Sequence, residues 1–133
     1  MRKYQLASGK VLEFNLAGIE QAIEVYRSVL NECKHAGLDI TVADGESLLD
    51  IILKNREAVL NIFSSKEVME AIQGCCDKVL YAGNHFSISL FEDEQAREDF
   101  IGVMTIIGVE NLRPFFPSLR LLLDAITNLF LRQ

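Results

Sequence analysis

Five side chains in this sequence are of the types that bind metals or act as nucleophiles: Cys33, Cys75, Cys76, His35 and His85. Gathered in space, they would make a zinc site or a cysteine activated by a histidine. Their spacing argues against both. No Cys-x-x-Cys pair is present, and Cys33 and Cys75 fall in the apolar stripes of helical segments, where cysteine behaves as a small hydrophobe. A reactive thiolate needs a partly exposed, electropositive setting, and this chain is acidic. A glycine-rich phosphate loop, G-x-S-x-G, a kinase signature and H-E-x-x-H are all missing. The run Glu92-Asp93-Glu94 would bind a hard cation only with further spaced oxygen ligands, which the local sequence lacks, so its carboxylates are assigned to the positive end of a helix dipole. The sequence is therefore read as non-enzymatic, with no metal, no cofactor and no catalytic residue.

What remains is the chemistry of burial. In Asn111-Leu112-Arg113-Pro114-Phe115-Phe116-Pro117, two prolines bracket two phenylalanines, and the segment from Ser118 to Leu131 is apolar around most of a helix. The prolines stiffen the turn, and two arrangements of its rings stay open: one points inward and its neighbour outward, or both pack under the fourth helix and simply fix the turn. A fully buried Phe contributes roughly 1.5–3 kcal/mol, which makes an outward one an anchor for a partner. The candidate partner-binding residues are Phe115, Phe116, Leu119, Leu122, Leu123, Ile126, Leu129 and Phe130. Two arrangements of this helix stay open: burial in the chain's own core, with Arg120, Asp124 and Asn128 as its wet stripe, or cover by a second copy in a homo-oligomer.

The elements that would position this turn read as a mostly helical α+β chain. Lys3 to Leu6 and Val11 to Leu16 alternate with period two around Gly9 and predict a β-hairpin. Ile19, Ala22, Ile23, Tyr26, Val29, Leu30 and Cys33 recur at helical spacing, and Gly37 offers the C-terminal stop. Helix and hairpin are expected to pack on each other, through Ile19, Ile23, Tyr26, Val29 and Leu30 against Leu12, Phe14 and Leu16. After an extended piece around Ile40-Thr41-Val42, Asp44 to Ser47 supply caps for a second helix running to about Phe63. Ser64 with Glu67 fits a capping box for a third, carrying Val68, Met69, Ile72, Cys75, Cys76 and Val79. Tyr81 to His85 reads as a loop, and the alternation Phe86-Ser87-Ile88-Ser89-Leu90 as a strand extending the N-terminal sheet. A fourth helix starts at Glu92-Asp93-Glu94, buries Phe100, Val103, Met104 and Ile107, is weakened by Gly102 and Gly108, and ends near Asn111 before Pro114. A fifth starts at Pro117 or Ser118. The expected architecture is an N-terminal β-hairpin packed on a bundle of about five helices in one domain, 1–133.

Composition agrees with such a build. The 133 residues are 50% hydrophobic and 24% charged, far from the regime of disorder. The net charge of −6, with 13 basic residues scattered among 19 acidic ones, argues against nucleic acid. An odd number of cysteines, two of them adjacent, gives no legible disulfide framework and points to a reducing compartment. No apolar run reaches the length of a membrane span, and Met1-Arg2-Lys3 is followed by no signal-peptide core.

Taken in order, the opening Tyr4-Gln5-Leu6-Ala7-Ser8-Gly9-Lys10-Val11-Leu12-Glu13-Phe14-Asn15-Leu16, the amphipathic helix after it, Phe91-Glu92-Asp93-Glu94-Gln95-Ala96-Arg97-Glu98-Asp99-Phe100 and the turn Asn111 to Phe116 resemble the tail assembly chaperones of long-tailed bacteriophages. The resemblance covers most of the chain. It implies a non-enzymatic protein that binds the long, helical, aggregation-prone tape measure protein, keeps it soluble for tail tube assembly in the cytoplasm of the infected bacterial host, and is absent from the mature virion. It also implies a frameshifted longer form through which the tail tube protein is reached. A structural tail completion or connector subunit of the virion is the alternative of the same size and build.

Overall fold

The computed structural model describes residues 1–37 and 56–132. Among them, two strands open the chain: β1, Arg2–Gln5, and β2, Val11–Phe14, antiparallel with Tyr4 opposite Leu12. The connecting turn is closed by Gly9, whose φ of 95° lies in the left-handed region open to glycine. Helix α1 follows at Ile19–His35 and stops at Ala36, with Gly37 at φ 78°. Helices α2, Arg56–Phe63, and α3, Lys66–Gln73, make an αα-hairpin. Then come β3, Leu80–Tyr81, β4, Asn84–His85, a 3₁₀ turn at Ile88–Phe91, α4 at Glu94–Leu112, two further 3₁₀ turns, and α5 at Arg120–Asn128. The chain is thus α+β and mostly helical, with an N-terminal hairpin.

Helix α4 is the axis. Every residue from Gly102 to Leu112 is buried, because α1, α2, α3, α5 and the turn at Ile88–Phe91 all lie against it. A helix enclosed on all sides carries no single apolar stripe, so the expected stripe of Phe100, Val103, Met104 and Ile107 was too narrow: Ile106, Val109 and Leu112 are equally deep, and Phe100 is only half-buried. Its two glycines are contact points. A Cβ at Gly102 would lie 3.0 Å from Phe130, and one at Gly108 would lie 2.8 Å from Ile72 Cδ1 and 3.0 Å from Phe63 Cε1.

Polar groups on α4 fix the sheet beside it. Asp99 Oδ2 accepts from Ser8 Oγ at 2.7 Å and Tyr81 Oη at 2.6 Å, while Glu110 accepts from Arg2 Nη1 at 2.7 Å. Asp99 and Glu110 are separated by about three helical turns and share a face, so they hold the sheet at both ends. Asn111 Oδ1 accepts the backbone N–H of Ala17, fixing the link into α1.

Several expectations are corrected. Helix α1 lies chiefly on α3, then on α4 and α2, rather than on the hairpin. Its buried line is Ala22, Val25, Val29 and Cys33, with Tyr26 and Leu30 half-buried; Leu16 and Ile19 are exposed, at 53% and 63%, and Ile23 borders an open hollow with Glu20, Gln21, Glu24 and Arg27. The hairpin's buried side chains, Leu6, Leu12 and Phe14, instead join the general core.

The N-cap of α3 is Ser65, whose Oγ accepts from Val68 N at 3.3 Å, one residue later than the capping-box reading. That helix ends at Gln73, where Gly74 and the turn bonds Cys75 N to Ile72 O and Cys76 N to Gln73 O break the pattern. Residues 81 to 85 form a tight hairpin rather than a loop: Ala82 and Gly83 both have positive φ, 51° and 83°, as a type I′ turn requires. The strand that extends the N-terminal sheet is β3, paired with β2, in the order β1-β2-β3-β4. Residues 86 to 90 are not a strand, because the Ser87 hydroxyl accepts from Ser89 N and offers the backbone a turn instead. The expected extended piece at Ile40 to Val42, the caps at Asp44 to Ser47 and the first half of the second helix lie outside the described residues.

Candidate functional site

The three cysteines are buried and unpaired. Burial raises the thiols of Cys33 and Cys75 from 9.0 to about 11 and that of Cys76 to about 12, with the nearby acidic charges of Glu32 and Asp77 adding to desolvation. They are core side chains. His35 and His85 stand at the surface, and among the described residues no group of three or more His, Cys, Asp or Glu is placed to hold a metal ion. Within Glu92-Asp93-Glu94, Asp93 caps α4 by accepting from Ala96 N at 2.7 Å.

Ser8, Tyr81 and Asp99 invite comparison with a catalytic triad. Both hydroxyls donate to the same carboxylate oxygen, and Lys10 Nζ sits 5.5 Å over the Tyr81 ring. Burial, then the Asp99 contact, pushes the Tyr81 hydroxyl well above its ordinary value, so it holds its proton. The arrangement clamps the hairpin turn to α4.

The Pro–Phe–Phe–Pro turn is docked on α1. Phe115 and Phe116 lie 5.1 and 5.4 Å from the Tyr26 ring, the second pair stacked. Of the eight candidate partner-binding residues, Phe116, Leu119, Leu122, Leu123 and Ile126 are buried, none more than 9% exposed, while Phe115, Leu129 and Phe130 are half-buried. Five of the eight thus offer little surface to a partner in the folded chain. The reason lies in α5: its apolar side closes the core against α4, and the helix stops at Asn128 rather than running to Leu131. Beyond it, Leu131 bridges Leu6, and Phe130 O accepts from Ala7 N at 3.1 Å. Among the described residues the exposed large apolar side chains are others: Met1, Val11, Leu16, Ile19, Ile88 and Leu121.

The structure assembles something the sequence reading missed. Between β1, the turn after α4 and α5 lies a cleft of about 700 Å³, walled by Arg2, Tyr4, Arg113, Arg120, Asp124, Thr127 and Asn128 with Phe116, Pro117 and Leu123. Two of its guanidiniums are fixed. Buried Glu110 binds Arg2 Nη1 at 2.7 Å and Arg113 Nε at 2.9 Å, and Arg113 Nη1 reaches Asp124 Oδ1 at 2.7 Å. Arg120 pairs with no other described residue. Thr127 is 3% exposed and its hydroxyl has no hydrogen-bond partner among the described residues, a deficit that ordinarily costs about 1–3 kcal/mol. A smaller hollow on the other side of Arg2 and Arg113 is bordered by Met1, Leu16 and Pro114. Arg120 had been visible only as part of the wet stripe of the last helix and Arg113 only as part of the proline turn; the turn separates them, and Arg2, 108 residues away from Glu110, could not be joined to them by local pattern.

Compared with known protein families, curated proteins and solved structures, the chain matches none of them. Among the described residues no helix is long and apolar enough to cross a membrane.

Proposed function

We propose that this protein is a tail assembly chaperone that binds the tape measure protein of a long-tailed bacteriophage and keeps it soluble in the host cytoplasm until the tail tube forms. One observation carries this reading. Of the segments that bear the resemblance, the opening hairpin, the amphipathic helix and the proline–aromatic turn all lie against α4, whose own start is the acidic one, and the cleft opens where the hairpin and the turn meet. A binding surface built from these segments suits a long helical client that displays apolar stripes between charges. The acidic character of the chain, −6 overall, keeps a chaperone–client assembly dispersed.

Co-expression tests it. A tape measure fragment made alone is expected in the insoluble fraction, and made with this protein in the soluble fraction and co-purifying with it. A fragment that stays insoluble, or whose solubility is indifferent to this protein, would overturn the proposal; recovery of the protein from purified particles would favour a structural tail subunit.

A further inference from the structure

We propose that the cleft between β1 and α5 is a carboxylate-binding site, which takes an acidic side chain presented by an amphipathic helical polypeptide. This deepens the reading above and rests on it for the class of partner. Three arginines, Arg2, Arg113 and Arg120, line this cleft with one carboxylate, Asp124, and even with Glu110, which bonds Arg2 and Arg113 from outside the lining, the cleft holds an excess positive charge on a chain whose net charge is −6. Glu110 and Asp124 are already engaged; they pin Arg2 and Arg113 in place and leave Arg120 for an incoming anion. The planar fork of an arginine matches a carboxylate through two parallel hydrogen bonds. Thr127 supplies the second, independent observation: it belongs to the cleft wall, is buried, and its hydroxyl has no hydrogen-bond partner among the described residues. A threonine on a helix has two accessible χ1 wells, so its O–H can turn to a bound carboxylate without moving the backbone.

The remaining wall selects the kind of acid. Exposed Pro117, with the small exposed remainder of Phe116 and Leu123, makes one side apolar, and Met1 and Leu16, at 77% and 53% exposure, lie across the Arg2–Glu110–Arg113 bridge. A free inorganic anion gains nothing from that surface, whereas a helix carrying Glu beside Leu or Phe would cover it and complete the charge pairing at once.

The test uses the whole chain and two synthetic helical peptides of identical apolar pattern, one with Glu at i and i+4 and one with Gln there, followed by fluorescence anisotropy. The Glu peptide is expected to bind, with affinity falling as salt is raised, and the Gln peptide to bind roughly tenfold or more weakly. Arg120→Gln should weaken the Glu peptide by a comparable factor. Thr127→Val should weaken it severalfold while leaving the melting temperature unchanged or higher, because the orphan hydroxyl is gone. Equal binding of the two peptides, or an Arg120→Gln variant that binds as the parent does, would overturn the proposal. So would inorganic phosphate that occupies the cleft while neither peptide binds. Should Thr127→Val fail to fold, Arg120→Gln at its exposed position still decides. No tape measure sequence enters this measurement, so its failure is distinguishable from failure of the co-expression test.

Discussion

At Gly108 the close approach of three helices leaves no room for a methyl group: a Cβ there would stand 2.8 Å from Ile72 Cδ1 and 3.0 Å from Phe63 Cε1. Both neighbours are core side chains. Alanine gains up to about 1 kcal/mol of helix propensity over glycine, but overpacking typically costs about 1–3 kcal/mol. Gly108→Ala should therefore destabilise the chain, and urea unfolding should show a lower midpoint at unchanged slope. At Gly102 the obstructing group is Phe130, half-buried near the end of the chain, so Gly102→Ala should cost less. The cysteines set a second residue-scale expectation. Their folded values, about 11 for Cys33 and Cys75 and about 12 for Cys76, lie above the ordinary 9.0. A raised value means that the neutral thiol is favoured in the folded state; the stability it lends is complete below pH 9 and is lost as pH climbs through the folded values. Thermal melts should hold steady up to about pH 9 and then fall towards pH 12, with a smaller fall for Cys76→Ala whatever its stability at neutral pH. A melting temperature independent of alkali would show that the thiols ionise alike in both states.

Elements with one wet face were legible, and the enclosed one was not. Helix α1 announced itself by period, and Gly37 by its place after it. Its buried line was misjudged by about one position because Ile19 and Ile23, apolar but peripheral, pulled the expected face away from Val25. In α4 the apolar residues surround the helix, so periodicity carried no direction, and the polar residues that do carry it, Asp99, Glu110 and Asn111, act on partners distant in sequence. The start of α3 gives the element scale its own test. Ser65→Ala should remove the bond to Val68 N and cost about 1 kcal/mol, whereas Ser64→Ala should be nearly neutral, since Ser64 is exposed and its side chain caps nothing among the described residues. Equal effects at the two positions would return the cap to Ser64. The third helix also shows why capping motifs mislead when two serines are adjacent: only Ser64 has a Glu three residues on, yet Ser65 is the cap, and packing of Val68 and Ile72 decides.

For the molecule as a whole, contacts in and beside the candidate cleft join the early and late parts of the sequence. Arg2 meets Glu110, Leu6 pairs with Leu131, and Arg132 N donates to Gln5 O at 2.9 Å. This is why the hairpin, the helices and the terminal turn could each be read from local pattern while the cleft could not. Truncation after Asn128 should remove the backbone bonds to Gln5 and Ala7 together with the Phe130 ring over Gly102, leaving part of the β1 side uncovered and prone to pairing with other chains. Light scattering at micromolar concentration should rise and the melting temperature fall; a truncated chain as stable and as monodisperse as the parent would show that the tail is dispensable. The same closure has a consequence in time. A ribosome adds roughly 5–20 residues per second, so Arg132 follows Gln5 out of the exit on the order of ten seconds later. For most of that interval the hairpin has been made and its apolar side chains, Leu6, Leu12 and Phe14, lack the core they later join, since α4 is completed only at Leu112 and the tail later still. The protein's greatest exposure to wrong partners falls during its own synthesis.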